Sequence, residues 1–310
     1  MVKVFFNYLI FPGFLFSVCV GLIAGWVDRK VTARIQWRVG PPWYQNFIDI
    51  IKLLGKETIV PEGAKSTFLL APWFGLLSAV LVAAILGRSV IYPQESVLGD
   101  LIVVIYLLII PAIAMIVGAS SSRNPLASLG ASREMKLVLG YELPFILSIV
   151  VVIIKSEGAI QIGQILNHQM VPEVWMSFGS NLASWSGALA FIAAIFCMQA
   201  KLGFVPFDMS EAEQEIMGGV LIEYSGLPLA IFKLTKAVLL YTMPLLLIIL
   251  FWGGNLSPWA LAGKYVALLV IIILIKNTNP RLRIDQALRF FWGPVSIIAV
   301  IAVILALFGL

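Results

Sequence analysis

Eight apolar runs, each close to the length of a membrane-spanning helix, recur along the 310 residues of the chain. A helix needs about 20 mostly apolar residues to cross the hydrocarbon layer of a membrane. Charged residues make up only 12% of the sequence, against about 25% in a soluble domain. The sequence therefore predicts an all-α integral membrane protein, a bundle of about eight transmembrane helices over residues 4–27, 66–87, 98–120, 137–154, 184–200, 224–252, 259–275 and 290–310.

The lysines and arginines between these runs predict the orientation of the bundle. Fifteen fall in the loops after runs one, three, five and seven, and four fall on the other side. Basic residues are enriched in cytoplasmic loops, so both termini are expected to lie outside. A single membrane domain over residues 1–310 is predicted, with cytoplasmic loops at about 28–65, 119–136, 201–223 and 276–289.

Several classes of site are not supported by the composition. The net charge of +5 comes from the basic loops, so it does not indicate nucleic-acid binding. Cys19 and Cys197 both lie in apolar runs, and His168 is the only histidine. These residues cannot supply the ligand clusters that metals need, so we expect neither a metal nor a cofactor in this chain.

The segment from Lys201 to Lys236 concentrates ionisable residues between two long uncharged runs. Such side chains cost about 2.5–3.5 kcal/mol each when they enter a membrane, so they usually serve an ion path, a ligand or a partner. The predicted proton or ion path draws on Asp208, Glu211, Glu213, Glu215, Glu223, Lys233 and Lys236.

A structural explanation of the acidic residues is also open. Ser210 and Glu213 fit a capping box at the start of a helix. On such a helix, Glu211 and Glu215 would share one face, and their repulsion would favour proton exchange. Capping explains one or two of these acidic residues, whereas a role in proton or ion transfer would explain all of them.

Two further acids and the two lysines lie within or beside the apolar runs. Lys233 and Lys236 are three residues apart and share a helical face, deep enough to need a carboxylate or a water-filled cavity. They form either a structural ion pair inside the bundle, for which Glu142 in run four is the candidate partner, or a step of the path. Asp100 lies near the outer face, where it either joins the path or is simply solvated.

The first predicted cytoplasmic loop contains a short amphipathic helix. Phe47, Ile50, Ile51 and Leu54 follow helical spacing. This helix lies at the lipid interface or docks a soluble partner, and the two readings are compatible. The residues predicted to dock a partner are Arg34, Arg38, Ile50 and Lys56.

Three stretches in order along the chain resemble the complex I subunit 1 family, which includes the membrane anchor of energy-converting hydrogenases. They are ARIQWRVGPPWYQNFIDIIKLLGKE, SREMKLVLGYELP and PFDMSEAEQE followed by GGVLIEYSG. The resemblance implies eight tilted helices between a soluble electron-transfer arm and a membrane ion pump. It further implies that loops 28–65 and 201–223 dock this arm, and that the acidic path includes Glu142, Glu211, Glu213 and Glu215.

The sequence departs from the quinone-using members of this family. Lys201 stands where they carry a glutamate, Phe204 where they carry an arginine, and Pro42 where they carry an asparagine. These changes fall where a quinone chamber would be lined. GPPWYQ and EAEQEIMGG are similar to the archaeal membrane-bound hydrogenase and sulfur-reductase type, which uses no quinone.

The resemblance predicts a non-catalytic membrane anchor that couples the redox reaction of a respiratory complex to H⁺ or Na⁺ translocation. Expected partners are hydrogenase-like large and small subunits, an iron–sulfur subunit, antiporter-like membrane subunits and the lipid bilayer. The NiFe-type site and the iron–sulfur clusters are expected in those subunits. Alternatives are the same role in a sulfane or polysulfide reductase, a quinone-binding subunit, and a stand-alone secondary transporter.

Overall fold

The computed structural model describes residues 7–61, 65–95, 99–170 and 181–310, and in these residues the regular structure is entirely helical. A π-helical turn, Phe291–Val295, joins the last two α-helices. The α-helices of the described residues are α1 (Phe14–Ile35), α2 (Gln45–Leu54), α3 (Lys65–Ile91), α4 (Asp100–Ser121), α5 (Pro125–Lys155), α6 (Ile162–Met170), α7 (Trp185–Lys201), α8 (Glu213–Ile216), α9 (Gly226–Phe251), α10 (Pro258–Thr278), α11 (Ile284–Phe290) and α12 (Ser296–Leu307).

Seven helical segments of the described chain are long and apolar enough to cross a membrane. They contain α1, α3, α4, α5, α9, α10 and the joined α11–α12. Helix α7 is also apolar and has 17 residues, at the lower limit of spanning length. The predicted all-α membrane bundle is confirmed, whereas the side that each terminus faces stays a prediction.

Two spans run further than their apolar runs predicted. Helix α1 continues to Ile35, beyond the expected end at residue 27. Helix α5 begins at Pro125, where the Asn124 side chain accepts a hydrogen bond from the Leu126 amide, so most of the predicted loop 119–136 is helical. Hydropathy detects only the part of a helix that lies in hydrocarbon, while backbone hydrogen bonding continues into the polar interface.

Helix α9 forms the centre of the bundle. In its most apolar window 83% of the residues are buried, against 56% or less in the other spans. It packs against α1, α2, α3 and α10. It approaches α1 closely, since a Cβ at Gly21 would lie 2.0 Å from the Ala237 carbonyl oxygen. Only glycine permits this backbone contact.

Helices α5, α7 and α12 pack together as a second group. The segment between α7 and α9 folds back against α5. It lies at the end of the bundle that also carries α2 and the connection between α10 and α11. We call this end the charged end. The opposite end carries the exposed ion pair between Arg88 and Glu95.

Candidate functional site

The segment between α7 and α9 consists mainly of turns that backbone hydrogen bonds hold in place. The Pro206 carbonyl accepts a hydrogen bond from the Leu282 amide at 3.1 Å, and the Ser210 carbonyl accepts one from the Val220 amide at 3.2 Å. Gly219 has a φ of 48°, and a Cβ there would lie 2.1 Å from the Ser210 oxygen. Glycine is therefore required at this position for the segment to close on itself.

Three carboxylates of this segment are held by neighbouring elements. Asp208 accepts two hydrogen bonds from Arg281, at 2.8 and 2.5 Å. These bonds raise the pKa of the Arg281 guanidinium above its usual value. Arg133 contacts Glu215 at 2.5 Å, and Asn124 donates to Glu223 at 2.5 Å. The acids therefore tie the segment to α5 and to the α10–α11 connection.

Glu211 forms an ion pair with Lys236 of α9. The segment folds into the bundle, so the carboxylate reaches a lysine ten residues into the helix. Lys233 is exposed on the same helix. The predicted capping box is wrong, because α8 begins at Glu213 with Ala212 as its N-cap. Glu211 lies outside that helix and does not share a face with Glu215.

The most buried ion pair in the described part of the chain joins Lys201 and Glu142. Their side chains are only 3% and 14% exposed, and the lysine Nζ lies 2.5 Å from the carboxylate. The ammonium also lies over the rings of Tyr141 and Phe145, at 5.1 and 4.9 Å from the centroids. The predicted pairing of Glu142 with Lys233 or Lys236 is wrong. Lys201, one of the residues that depart from the quinone-using pattern, is the partner instead.

Two buried acidic residues, Asp28 and Glu134, were not predicted from the sequence. Asp28 near the end of α1 pairs with Lys276 near the end of α10 at 2.7 Å, although they are 248 residues apart. Glu134 is buried on α5, close to Ser210, Glu211 and Lys236. Both acids adjoin apolar runs and look like ordinary interface residues in the sequence. Glu134 lies inside one of the family-like stretches, which was the one available signal.

A cavity of about 250 Å³ opens at the charged end between α1, α2 and α9. Phe204, Lys233 and Lys236 line it, together with Asp28 and Asp49. Most of the remaining wall is apolar. The cavity therefore brings the two lysines of α9 together with two carboxylates from the first part of the chain.

The predicted amphipathic helix is present as α2, but its faces differ from expectation. Ile50 is buried, at 8% exposure, and lines the cavity. Its expected place on a docking surface is therefore wrong, because α2 turns this residue towards α9. Ile51 is exposed instead.

Asp49 of α2 has a pKa below its usual value. Burial alone would raise this pKa, but the hydrogen bonds from Gln45 and Arg29, together with the charge of Arg29, lower it by a larger amount.

Arg34, Arg38 and Lys56 are exposed at the charged end, as a docking surface requires. Between α1 and α2, residues 36–44 form a loop that is pinned to α1. Trp26 donates to the Pro41 carbonyl at 3.1 Å, and Lys30 donates to the Gly40 carbonyl at 3.2 Å. The loop projects Trp37, 98% exposed, in a left-handed conformation with φ 59°. Such a conformation is uncommon for a bulky residue.

The structure also places the last two residues of the predicted path. Glu213 is exposed on α8. Asp100 is the first residue of α4, at the opposite end from the charged end. Among the described residues, no group of three or more His, Cys, Asp or Glu side chains could hold a metal ion. The expectation that this chain carries no cofactor stays a prediction.

Comparisons with known proteins agree over nearly the whole chain. The family model described as NADH dehydrogenase matches residues 8–307. The H subunit of the NADH-quinone oxidoreductase of Geobacillus thermodenitrificans (strain NG80-2) is 32% identical over 304 residues, which cover 91% of this chain and 88% of that relative. The corresponding protein of Thermomicrobium roseum is 34% identical, with 92% and 90% covered.

A solved structure gives the same result at the level of the fold. A chain of the membrane-bound sulfane sulfur reductase, an archaeal respiratory membrane complex, matches with a TM-score of 0.86 and 30% identity. The match covers 98% of this chain and 99% of that one. The chain therefore belongs to the NADH dehydrogenase family of complex I subunit 1 type, a family of multi-pass membrane subunits of respiratory complexes.

Proposed function

We propose that this chain anchors a soluble redox arm at the charged end and couples electron transfer in that arm to ion translocation. The observation that carries this proposal is the set of ion pairs leading from the surface segment into the bundle. Arg281 holds the segment at Asp208, Glu211 reaches Lys236, and Glu142 holds Lys201 in the interior. Purified complex in sealed vesicles, given a reduced electron donor, should translocate H⁺ or Na⁺.

Electrostatics gives these pairs a way to transmit a redox event. A carboxylate beside a lysine stays ionised, and it gains a proton more easily when the lysine's field is removed. In a low-dielectric bundle such fields act more strongly than in water. Movement or protonation of Glu211 would change the field at Lys236 and at nearby Glu134, and thus pass a charge change inward.

The partners and their cofactors are part of the same proposal. The subunits at the charged end are hydrogenase-like large and small subunits with an iron–sulfur subunit, and antiporter-like subunits lie beside the chain in the membrane. The NiFe-type site and iron–sulfur clusters belong to those soluble subunits. The match to a sulfane sulfur reductase chain supports sulfane or polysulfide as an alternative acceptor to protons. Family membership argues against a stand-alone transporter.

The loop at residues 36–44 provides a test of docking. Exposed tryptophans are enriched among the residues that dominate protein interfaces, where truncation costs about 2 kcal/mol or more. Trp37→Ala and the charge reversal Arg34→Glu should each release the soluble subunits from purified membranes. Release is measured by quantifying those subunits in the membrane fraction after a salt wash.

The matched control is Trp259→Ala, which removes a similarly exposed tryptophan, 89% accessible, at the start of α10 on the opposite end. This variant should retain the full complex. Full retention of the soluble subunits by both Trp37→Ala and Arg34→Glu would show that the loop does not dock them.

The cavity between α1, α2 and α9 supports a second candidate, a quinone-binding subunit, which the names of the NADH-quinone oxidoreductase relatives also favour. Against it, the cavity of about 250 Å³ is below the usual 300–1,000 Å³ of ligand pockets. Of the residues that depart from the quinone-using pattern, Phe204 lines the cavity, while Lys201 is committed to Glu142.

The two candidates predict different effects of changing the cavity wall. If no quinone binds, Phe204→Ala enlarges the cavity but leaves donor-driven electron transfer insensitive to added decylubiquinone or menadione. Electron transfer is measured in the purified complex with and without each quinone. Quinone-dependent turnover in the parent complex, reduced by Phe204→Trp, would instead establish the quinone-binding role.

A further inference from the structure

A groove on the outer surface of the bundle is lined by none of the residues that form the ion pairs. It has a volume of about 520 Å³ and runs between α5 and the junction of α11 with the π-helical turn. Lys136, Leu139, Leu288, Arg289, Trp292 and Gly293 line it. Leu139 and Trp292 are 62% and 64% exposed, so the groove opens outward rather than into the protein.

The π-helical turn shapes this groove. Gly293 lies in the turn, and a Cβ placed there would meet no atom within 4 Å. The indole N–H of Trp292 donates to the Leu139 carbonyl at 3.4 Å and connects the turn to α5. The result is an open apolar channel beside α5, of the kind that can receive an acyl chain.

Two cations mark one end of the channel. Lys136 and Arg289 are exposed, and neither forms an ion pair with any residue that the structure describes. Near the charged ends of α5, α9 and α10, by contrast, Arg133, Lys236, Lys276 and Arg281 each have a carboxylate partner. Two unpaired cations above an apolar channel complement a ligand with a negative head and an apolar tail.

We propose that this groove binds one anionic phospholipid, with its phosphate between Lys136 and Arg289 and an acyl chain along Leu139 and Gly293. Basic pockets between membrane helices on the cytoplasmic side are suited to anionic head groups. Trp292 lies beside the cations, as tryptophans do at the head-group level of a membrane. A free phosphate would leave the apolar channel unused, so a lipid fits the whole groove.

Photo-crosslinking in vesicles of known composition tests this proposal. The full complex is reconstituted in phosphatidylglycerol and phosphatidylcholine at a ratio of 1:9, with p-benzoylphenylalanine in place of Leu139. Each basic residue near a membrane surface favours anionic lipid about fivefold. Adducts at position 139 should therefore be enriched in phosphatidylglycerol at least about tenfold over the bulk ratio, as measured by mass spectrometry of the peptides.

The controls separate a site from ordinary lipid contact. The same crosslinker at Leu77, 58% exposed on α3 and outside the groove, should report the bulk ratio. Lys136→Gln with Arg289→Gln should abolish the enrichment, whereas Arg123→Gln, an exposed cation outside the groove, should leave it unchanged. Gly293→Leu should abolish the enrichment of phosphatidylglycerol at position 139, because its side chain fills the channel.

Two outcomes would overturn the proposal. The same lipid ratio at positions 139 and 77 would mean that the groove holds only bulk lipid. Crosslinking of position 139 mainly to another polypeptide would mean that a neighbouring subunit covers the groove. Size-exclusion chromatography of every variant confirms that the complex is assembled before crosslinking. Assembly is expected, because Lys136 and Arg289 are exposed and glutamine keeps a polar side chain at both positions.

Discussion

Lys201→Met is expected to destabilise the region around α7 by about 3–5 kcal/mol, the cost of leaving one member of a buried ion pair without its partner. Lys201 is 3% exposed, and removing it leaves the carboxylate of Glu142, 14% exposed, uncompensated among apolar side chains. Cys197, buried one turn earlier on α7, reports local opening. Its thiol should be labelled about a hundredfold to a few thousandfold faster, as measured by peptide mass spectrometry of the complex in a Cys19→Ser background.

A double-mutant cycle identifies the cause. Glu142→Gln alone should also accelerate labelling, because the lysine is then the unpaired charge. In the double variant Lys201→Met with Glu142→Gln, labelling of Cys197 should slow to near the parent rate, since replacing both members of a buried pair is often close to neutral. Glu95→Gln, which breaks an exposed pair at the opposite end, should cost less than about 1 kcal/mol. Additive effects of the two single changes would mean that the pair is not formed.

Glu211→Gln and Lys236→Met should each reduce ion translocation per electron at least about tenfold, while the complex still assembles. The pair is the contact through which the surface segment reaches α9. Glutamine and methionine preserve much of the shape but remove the charge that would transmit a redox event inward. The measurement is the ratio of ions moved to electrons transferred in sealed vesicles with a reduced donor.

Glu213→Gln is the matched control for this prediction. It removes the same type of charge two residues away, on an exposed face of α8. From the sequence, Glu213 and Glu211 had equal places in the path, and the structure separates them by their contacts. Parent-level translocation by both Glu211→Gln and Lys236→Met would mean that their pair is only structural. The coupling proposal would then rest on Glu142 and Lys201 alone.

The sequence by itself determined the class of the protein, its approximate number of spans and the amphipathic helix α2. These features depend on local properties: the length of an apolar run, the spacing of apolar residues within one helix, and the cost of exposing backbone to hydrocarbon. The sequence also located the charged segment after α7. Its motifs were sufficient to identify the family, because they occur in order over most of the chain.

Only the tertiary structure decided which charges meet. Lys201 and Glu142 are 59 residues apart, and Asp28 and Lys276 are 248 apart. Periodicity relates residues within one helix, so it could not choose Lys201 over Lys236 as the partner of Glu142. Nor could it show that α2 buries Ile50, or that the π-helical turn opens a groove beside Lys136. Each of these depends on the rotation and depth at which separate helices pack, which is set by contacts between distant parts of the chain.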